Sequence, residues 1–204
     1  MQDQVVKTPI LIYTEETPNP ESLKFVVNKM LFPGGTADFR SRDEAEKWSP
    51  MAIGIFSFPY VSGVYICNNF VSVTKDPIYS WKDITHELKG YIKNYIVDEL
   101  PVINDGYKEE LARIEAEKHA REYTGDDVAI VQKIKELIET VVKPAVANDG
   151  GNIEFHSFDK GVVTVILQGS CSGCPSSTIT LKAGIEAMLK RMVPEVTEVI
   201  SEMG

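Results

Sequence analysis

The sequence predicts an α+β protein made of two small domains, each a short sheet packed with helices. Short apolar strands alternate with segments of helical period on both sides of one acidic, apolar-poor stretch. That stretch, 104–127, holds eight acidic against four basic side chains and has glycine near both ends. At 204 residues, 43% hydrophobic and 25% charged, the chain is long enough for one large or two small cores, and the acidic stretch favours two.

The elements of the first half, 10–102, follow in order. Ile10-Leu11-Ile12-Tyr13 and Leu23-Lys24-Phe25-Val26-Val27 read as two strands, separated by the breaker Thr17-Pro18-Asn19-Pro20. Ser41-Arg42-Asp43-Glu44 has the form of a capping box, and a short helix restarting near Pro50 runs through Met51, Ala52 and Ile55. Val64-Tyr65-Ile66-Cys67 and Phe70-Val71-Ser72-Val73-Thr74 flank Asn68-Asn69, whose tolerance of positive φ predicts a tight hairpin. Ser80 and Asp83 then start a helix in which Ile84, Leu88, Tyr91, Ile92, Tyr95 and Ile96 recur on one face. Trp48, Phe56, Phe58 and Tyr60, clustered before the hairpin, are read as core aromatics.

The stretch 103–127 reads as a linker at which the halves can move independently; Leu111 and Ile114 support at most a solvated helical turn or two, not a core-facing helix. The second half, 128–201, opens with Val128, Val131, Ile134, Leu137, Ile138, Val141 and Val142, an amphipathic helix that Pro144 should kink or end. Asn148-Asp149-Gly150-Gly151 turns the chain, a turn needing positive φ rather than a ligand loop. A hairpin follows, with Asn152 to Phe158 and Val162 to Leu167 around Asp159-Lys160-Gly161, then a helix from about Ser177 through Met192 and a short strand near Val196 to Ile200.

Composition narrows the function. The formal charge is -9 and no Lys/Arg cluster tracks a phosphate backbone, so nucleic acid is not an expected partner. No apolar run is long enough to span a bilayer, and no membrane partner is expected. Met1 to Pro9 shows neither a signal-peptide apolar stretch nor an Arg-rich presequence; the expectation is a cytoplasmic protein, or a processed organellar form. Three cysteines, Cys67, Cys171 and Cys174, are too few for a secreted disulfide framework.

The chemistry gathers in Gly169-Ser170-Cys171-Ser172-Gly173-Cys174-Pro175-Ser176-Ser177, a C-x-x-C in a small-residue loop between a strand and a helix. Glycine and serine let the backbone approach a bulky inorganic core, and a helix N-terminus stabilises thiolates and the net negative charge of a thiolate-bound cluster. Iron-sulfur clusters usually take four cysteine thiolates, whereas one chain supplies this single pair; two chains supply four. No charged side chain lies between Gly161 and Leu181, which suits a surface meeting its own copy around a two-fold axis. The same pair also suits zinc bridged between chains, as in a zinc-stabilised interaction module, or a dithiol-disulfide oxidoreductase, although no aromatic precedes Cys171 and no proline lies between the cysteines. Cys67, in an apolar strand, is read as a small core residue, and His86, His119 and His156 show no metal spacing.

Val142-Lys143-Pro144, Asn148-Asp149-Gly150-Gly151, the cysteine loop, Thr180-Leu181-Lys182, Gly184-Ile185-Glu186 and Val193-Pro194-Glu195-Val196 together resemble the C-terminal domain of NifU. Thr17-Pro18-Asn19-Pro20, Leu23-Lys24-Phe25, Ser49-Pro50-Met51-Ala52, Gly63-Val64, Phe70 to Lys75 and Trp81 are similar to the N-terminal domain of Nfu-type scaffold proteins. The resemblance implies an iron-sulfur scaffold or carrier, not an enzyme. It implies Cys171 and Cys174 as ligands, a 4Fe-4S cluster bridging a homodimer, an upstream donor scaffold, and apo iron-sulfur client proteins as recipients.

Overall fold

A computed structural model describes residues 9–118, 123–125, 127–171 and 175–203, and the side chains at 114–118, 175–178 and 203 are not described. Its first half is a five-stranded antiparallel sheet in the order β1-β2-β5-β4-β3. The strands are β1 (Ile12–Glu16), β2 (Ser22–Val27), β3 (Phe32–Phe39), β4 (Val61–Asn68) and β5 (Phe70–Lys75). Helices α1 (Arg42–Glu46), α2 (Pro50–Ile55) and α3 (Trp81–Val97) belong to the same half. Alternation along the strands builds the core: Phe25, Val27, Val64, Ile66, Val71 and Val73 pack with Met51, Ile55, Leu88 and Ile92. Trp48, Phe56, Phe58 and Tyr60 join that core, as their composition suggested.

Local sequence explains the joints. Ser41 Oγ accepts from Glu44 N at 3.2 Å, while Glu44 Oε2 accepts from Arg40 N at 2.7 Å, one residue before the position a capping box would use. Asn68 takes φ 40 in the hairpin turn, where Cys67 pairs with Phe70. Strand β3 was not expected from the sequence. Pro33-Gly34-Gly35 interrupts its pattern, and the register with β4 shifts between Phe32 and Thr36, a bulge that conceals the strand's period.

The acidic stretch also differs from expectation. It forms α4 (Tyr107–Lys118), and Tyr107 and Leu111 pack on the first core. Tyr107 is buried among Phe32, Phe39 and Trp48, with ring centroids 5.4 to 6.0 Å away. One aromatic anchor at the start outweighs an otherwise polar helix.

The second half is a three-stranded sheet in the order β6-β7-β8, from β6 (Gly151–Asp159), β7 (Val162–Gly169) and β8 (Glu198–Met203). β6 and β7 form the expected hairpin, with Lys160 and Gly161 at φ 48 and 87. β8 is parallel to β7 and is reached by the crossover helix α7 (Pro175–Met192). A helical rod precedes the sheet as α5 (Asp127–Leu137), a π-helical turn over Ile138–Val142, and α6 (Lys143–Asn148). Pro144 therefore does not end the helix. The wider π turn absorbs the missing N–H and the ring that would strike the carbonyl four residues back. Val131, Ile134, Ile138, Val142 and Val146 pack with Ile153, Val165, Leu167, Ile185 and Leu189 in a second core.

Candidate functional site: the cysteine loop and the sheet that covers it

The loop that carries the cysteines leaves the end of β7 and enters α7. Cys174 lies outside the described residues; Cys171 is described and buried. The thiol of Cys171 faces Gly151, where an added Cβ would sit 2.8 Å from Sγ and 2.6 Å from Gln168 O, so Gly151 is needed for close backbone approach. Ser170 Oγ lies 3.8 Å from Cys171 Sγ and donates a short hydrogen bond to Asp149 O. Burial pushes the Cys171 thiol up to about 11, with the Ser170 hydroxyl working against it and the Asp149 carboxylate adding to it. In this conformation it is a thiol at neutral pH, and becoming a thiolate ligand requires exposure or a metal.

The 148–151 turn meets the cysteine loop directly. Gly150 has φ 80 and its carbonyl accepts from Ser170 N at 3.3 Å. Positive φ in this turn was expected; its contact with the cysteine loop was not.

The first half contributes a set of contacts that the sequence did not reveal. β2 is buried at all six positions, which requires cover on both faces of the sheet. The helices cover one face, and the 148–150 turn with the chain at 167–170 lies against the other. Asn19 Nδ2 donates to Ser170 O at 3.1 Å, Lys24 Nζ to Asn148 O at 3.2 Å, and Ser72 Oγ to Gly150 O at 2.8 Å. Asp38 Oδ2 accepts from Gly169 N at 3.3 Å, and Arg40 donates to Leu167 O at 3.4 Å. Burial raises Asp38 to about 6, against the pull of Arg40 and the Gly169 N–H, with Glu44 adding to the rise.

Cys67 is buried, as expected, but not in the main core. It joins Val26, Tyr65 and Phe70 in a separate cluster on the covered face of the sheet, and burial raises its thiol. It also lines an open cavity of about 550 Å³ with Tyr65, Glu139, Lys143, Asn152 and Glu154. Among the described residues no group of three or more His, Cys, Asp and Glu side chains could hold a metal, and no helix is long and apolar enough to cross a membrane.

Comparison with known proteins follows the same division. Residues 12–99 match the family profile "Scaffold protein Nfu/NifU N terminal", and 134–200 match the "NifU-like domain". The NFU1 iron-sulfur cluster scaffold homolog, mitochondrial, of Drosophila persimilis is 38% identical over 200 residues, covering 98% of this chain and 67% of the relative. The chain belongs to the Nfu/NifU family. The Drosophila willistoni protein of the same name is 39% identical over 194 residues, 95% of this chain, which spans 64% of that relative's length. A solution structure of a NifU-like protein from Saccharomyces cerevisiae aligns at 26% identity and a TM-score of 0.43, covering 47% of this chain and 86% of that one. The relatives are named iron-sulfur cluster scaffolds, so the family is one of iron-sulfur scaffolds, and they are named mitochondrial, which does not support the cytoplasmic expectation and allows an organellar form.

Proposed function

We propose that this chain is a scaffold and carrier for a 4Fe-4S cluster, which it holds through Cys171 and Cys174 of each of two chains and passes to apo iron-sulfur proteins. The observation that supports this most is the placement of the C-x-x-C between a strand and a helix inside the NifU-like match, in a segment without charge. One loop offers two thiols, half of what a cluster takes, and a second copy completes the set. The unit 128–201 carries the cluster, 10–102 binds clients or an upstream donor scaffold, and 103–127 connects them. The cluster is cargo, and no step is enzymatic turnover. In transfer, a client thiol gives up its proton as its sulfur replaces Cys171 or Cys174 at one iron; the proton passes to the released thiolate and no electron moves. An organellar location agrees with the relatives' names.

The test is anaerobic reconstitution with iron and sulfide, reading absorbance, iron and sulfide content and mass on the same sample. The expected result is about four iron and four sulfide per two chains, with dimer mass. Cys171→Ser and Cys174→Ser should each abolish the cluster, and Cys67→Ser should retain it. A colourless monomer that binds zinc, or a Cys171–Cys174 disulfide that turns over on protein substrates, would overturn the proposal.

A further inference from the structure

Ser170, the residue immediately before Cys171, is 1% exposed, and each of its polar groups is engaged. Its N–H donates to Gly150 O at 3.3 Å, its hydroxyl donates to Asp149 O, and its carbonyl accepts from Asn19 Nδ2 at 3.1 Å. Two of these bonds run to the turn ahead of β6 in the same half, and the third comes from the loop between β1 and β2 in the other half. A serine tied at its N–H, its hydroxyl and its carbonyl has little freedom left in backbone or side chain.

The partner across the halves is held just as firmly. Asn19 is also 1% exposed; its Oδ1 accepts from Glu21 N at 3.0 Å, and its Nδ2 donates to Ser22 Oγ at 3.2 Å as well as to Ser170 O. Trp81 Nε1 donates to Pro20 O at 2.9 Å, which ties the same loop to the start of α3. The Asn19 amide therefore turns away from Ser170 only by losing several bonds at once. Glycines allow the close fit on the other side. Gly151 and Gly169 are paired in the β6-β7 register, and at Gly169, φ 66, a Cβ would lie 2.8 Å from Gly150 O, the acceptor of the Ser170 N–H.

A ligand works when it is held to within about 0.5 Å of its place, and that precision comes from the groups behind it. The geometry points to Ser170 as a positioning residue for Cys171: an anchor, fastened by Asn19 of one half and by the 149–150 turn of the other, from which the chain enters the C-x-x-C at a fixed place. This rests on the reading of Cys171 as a ligand and deepens it, because it gives the first half a part in placing that ligand. The anchor fixes where the Cys171 backbone begins, whichever way its side chain turns.

The test uses the full-length protein as wild type, Asn19→Ala, Ser170→Ala and the double variant. In cluster-free protein, hydrogen exchange by NMR gives the protection of the amide at position 170. Loss of one of the bonds should lower that protection roughly three- to tenfold, while amides of the second core such as Val165 and Leu189 keep theirs. In protein reconstituted with iron and sulfide, loss of visible absorbance to excess EDTA should speed by a similar factor, and the visible circular dichroism of the bound cluster should change. Because both bonds hold one residue, the double variant should depart from the product of the single effects. Asn19→Ala lies in the other half and leaves the second core intact, so it decides the matter if Ser170→Ala does not fold. Unchanged protection and unchanged release in Asn19→Ala would overturn the anchor, as would single effects that simply multiply. The two readings fail separately: lowered protection in the variants, with no cluster even in wild type, removes the carrier function and leaves the anchor standing, whereas normal loading with unchanged protection and release does the reverse.

Discussion

At the scale of single residues, one carboxylate and one thiol carry the chemistry around the end of β7. Asp38 is the informative carboxylate because its partners pull against its burial. With its value raised from the ordinary 3.8 to about 6, the folded state binds a proton more tightly than the unfolded state does. The sign follows directly. Asp38 contributes stability that is full below about pH 4 and is lost as pH rises through about 6, because a buried carboxylate must then stay charged. Asp38→Asn keeps an oxygen for the Gly169 N–H and removes the titration. The variant should therefore gain on wild type in urea midpoint as pH rises from 4 to 6.5; a constant difference over that range would show that Asp38 does not titrate in the interface. Cys171 differs, since its thiol is raised by burial to about 11 while it packs in the second core.

At the scale of elements, the caps decide which short helices form. Ser49 is fully buried and serves twice: its Oγ accepts from Ala52 N at 3.0 Å and donates to Val102 O at 2.7 Å, tying the start of α2 to the segment after α3. Ser41 caps α1 at a more exposed position and makes only the first kind of bond. Ser49→Ala should cost about 2 kcal/mol in urea unfolding and Ser41→Ala about 0.5 to 1 kcal/mol. Equal losses would mean that the link to Val102 contributes nothing. Elements with a local signature were legible in the sequence: the Asn68-Asn69 and Lys160-Gly161 hairpins, the Ser80 start of α3, and the strand-loop-helix around Cys171. Those that depend on a bulge, an aromatic anchor or a π turn were not, because β3, α4 and the passage through Pro144 each break the period by which an element is recognised. The contacts between the halves were invisible for a different reason. Asn19 and Ser170 are 151 positions apart, and a hydrogen bond to a carbonyl leaves no trace in side-chain pattern.

At the scale of the whole molecule, the two halves meet along the 148–150 turn and the chain at 167–170, and linkage makes any coupling between that contact and the cluster reciprocal. If parting the halves favours cluster binding, cluster binding must favour their parting by the same free energy. Cys67 is placed to report on this, since it lies in the covered patch and lines the cavity with Lys143 and Asn152 of the second half. With the halves together it is 5% exposed, and its burial raises the thiol, so both access and thiolate fraction are low. Opening removes both restraints at once. If loading parts the halves, it should speed alkylation at Cys67 while Cys171 and Cys174 stay protected as ligands. Peptide mass spectrometry after a short iodoacetamide pulse reads all three positions in one sample. If Cys67 stays equally protected after loading, the cluster forms with the halves still together, and the second chain must then reach the loop from the side that the sheet leaves open.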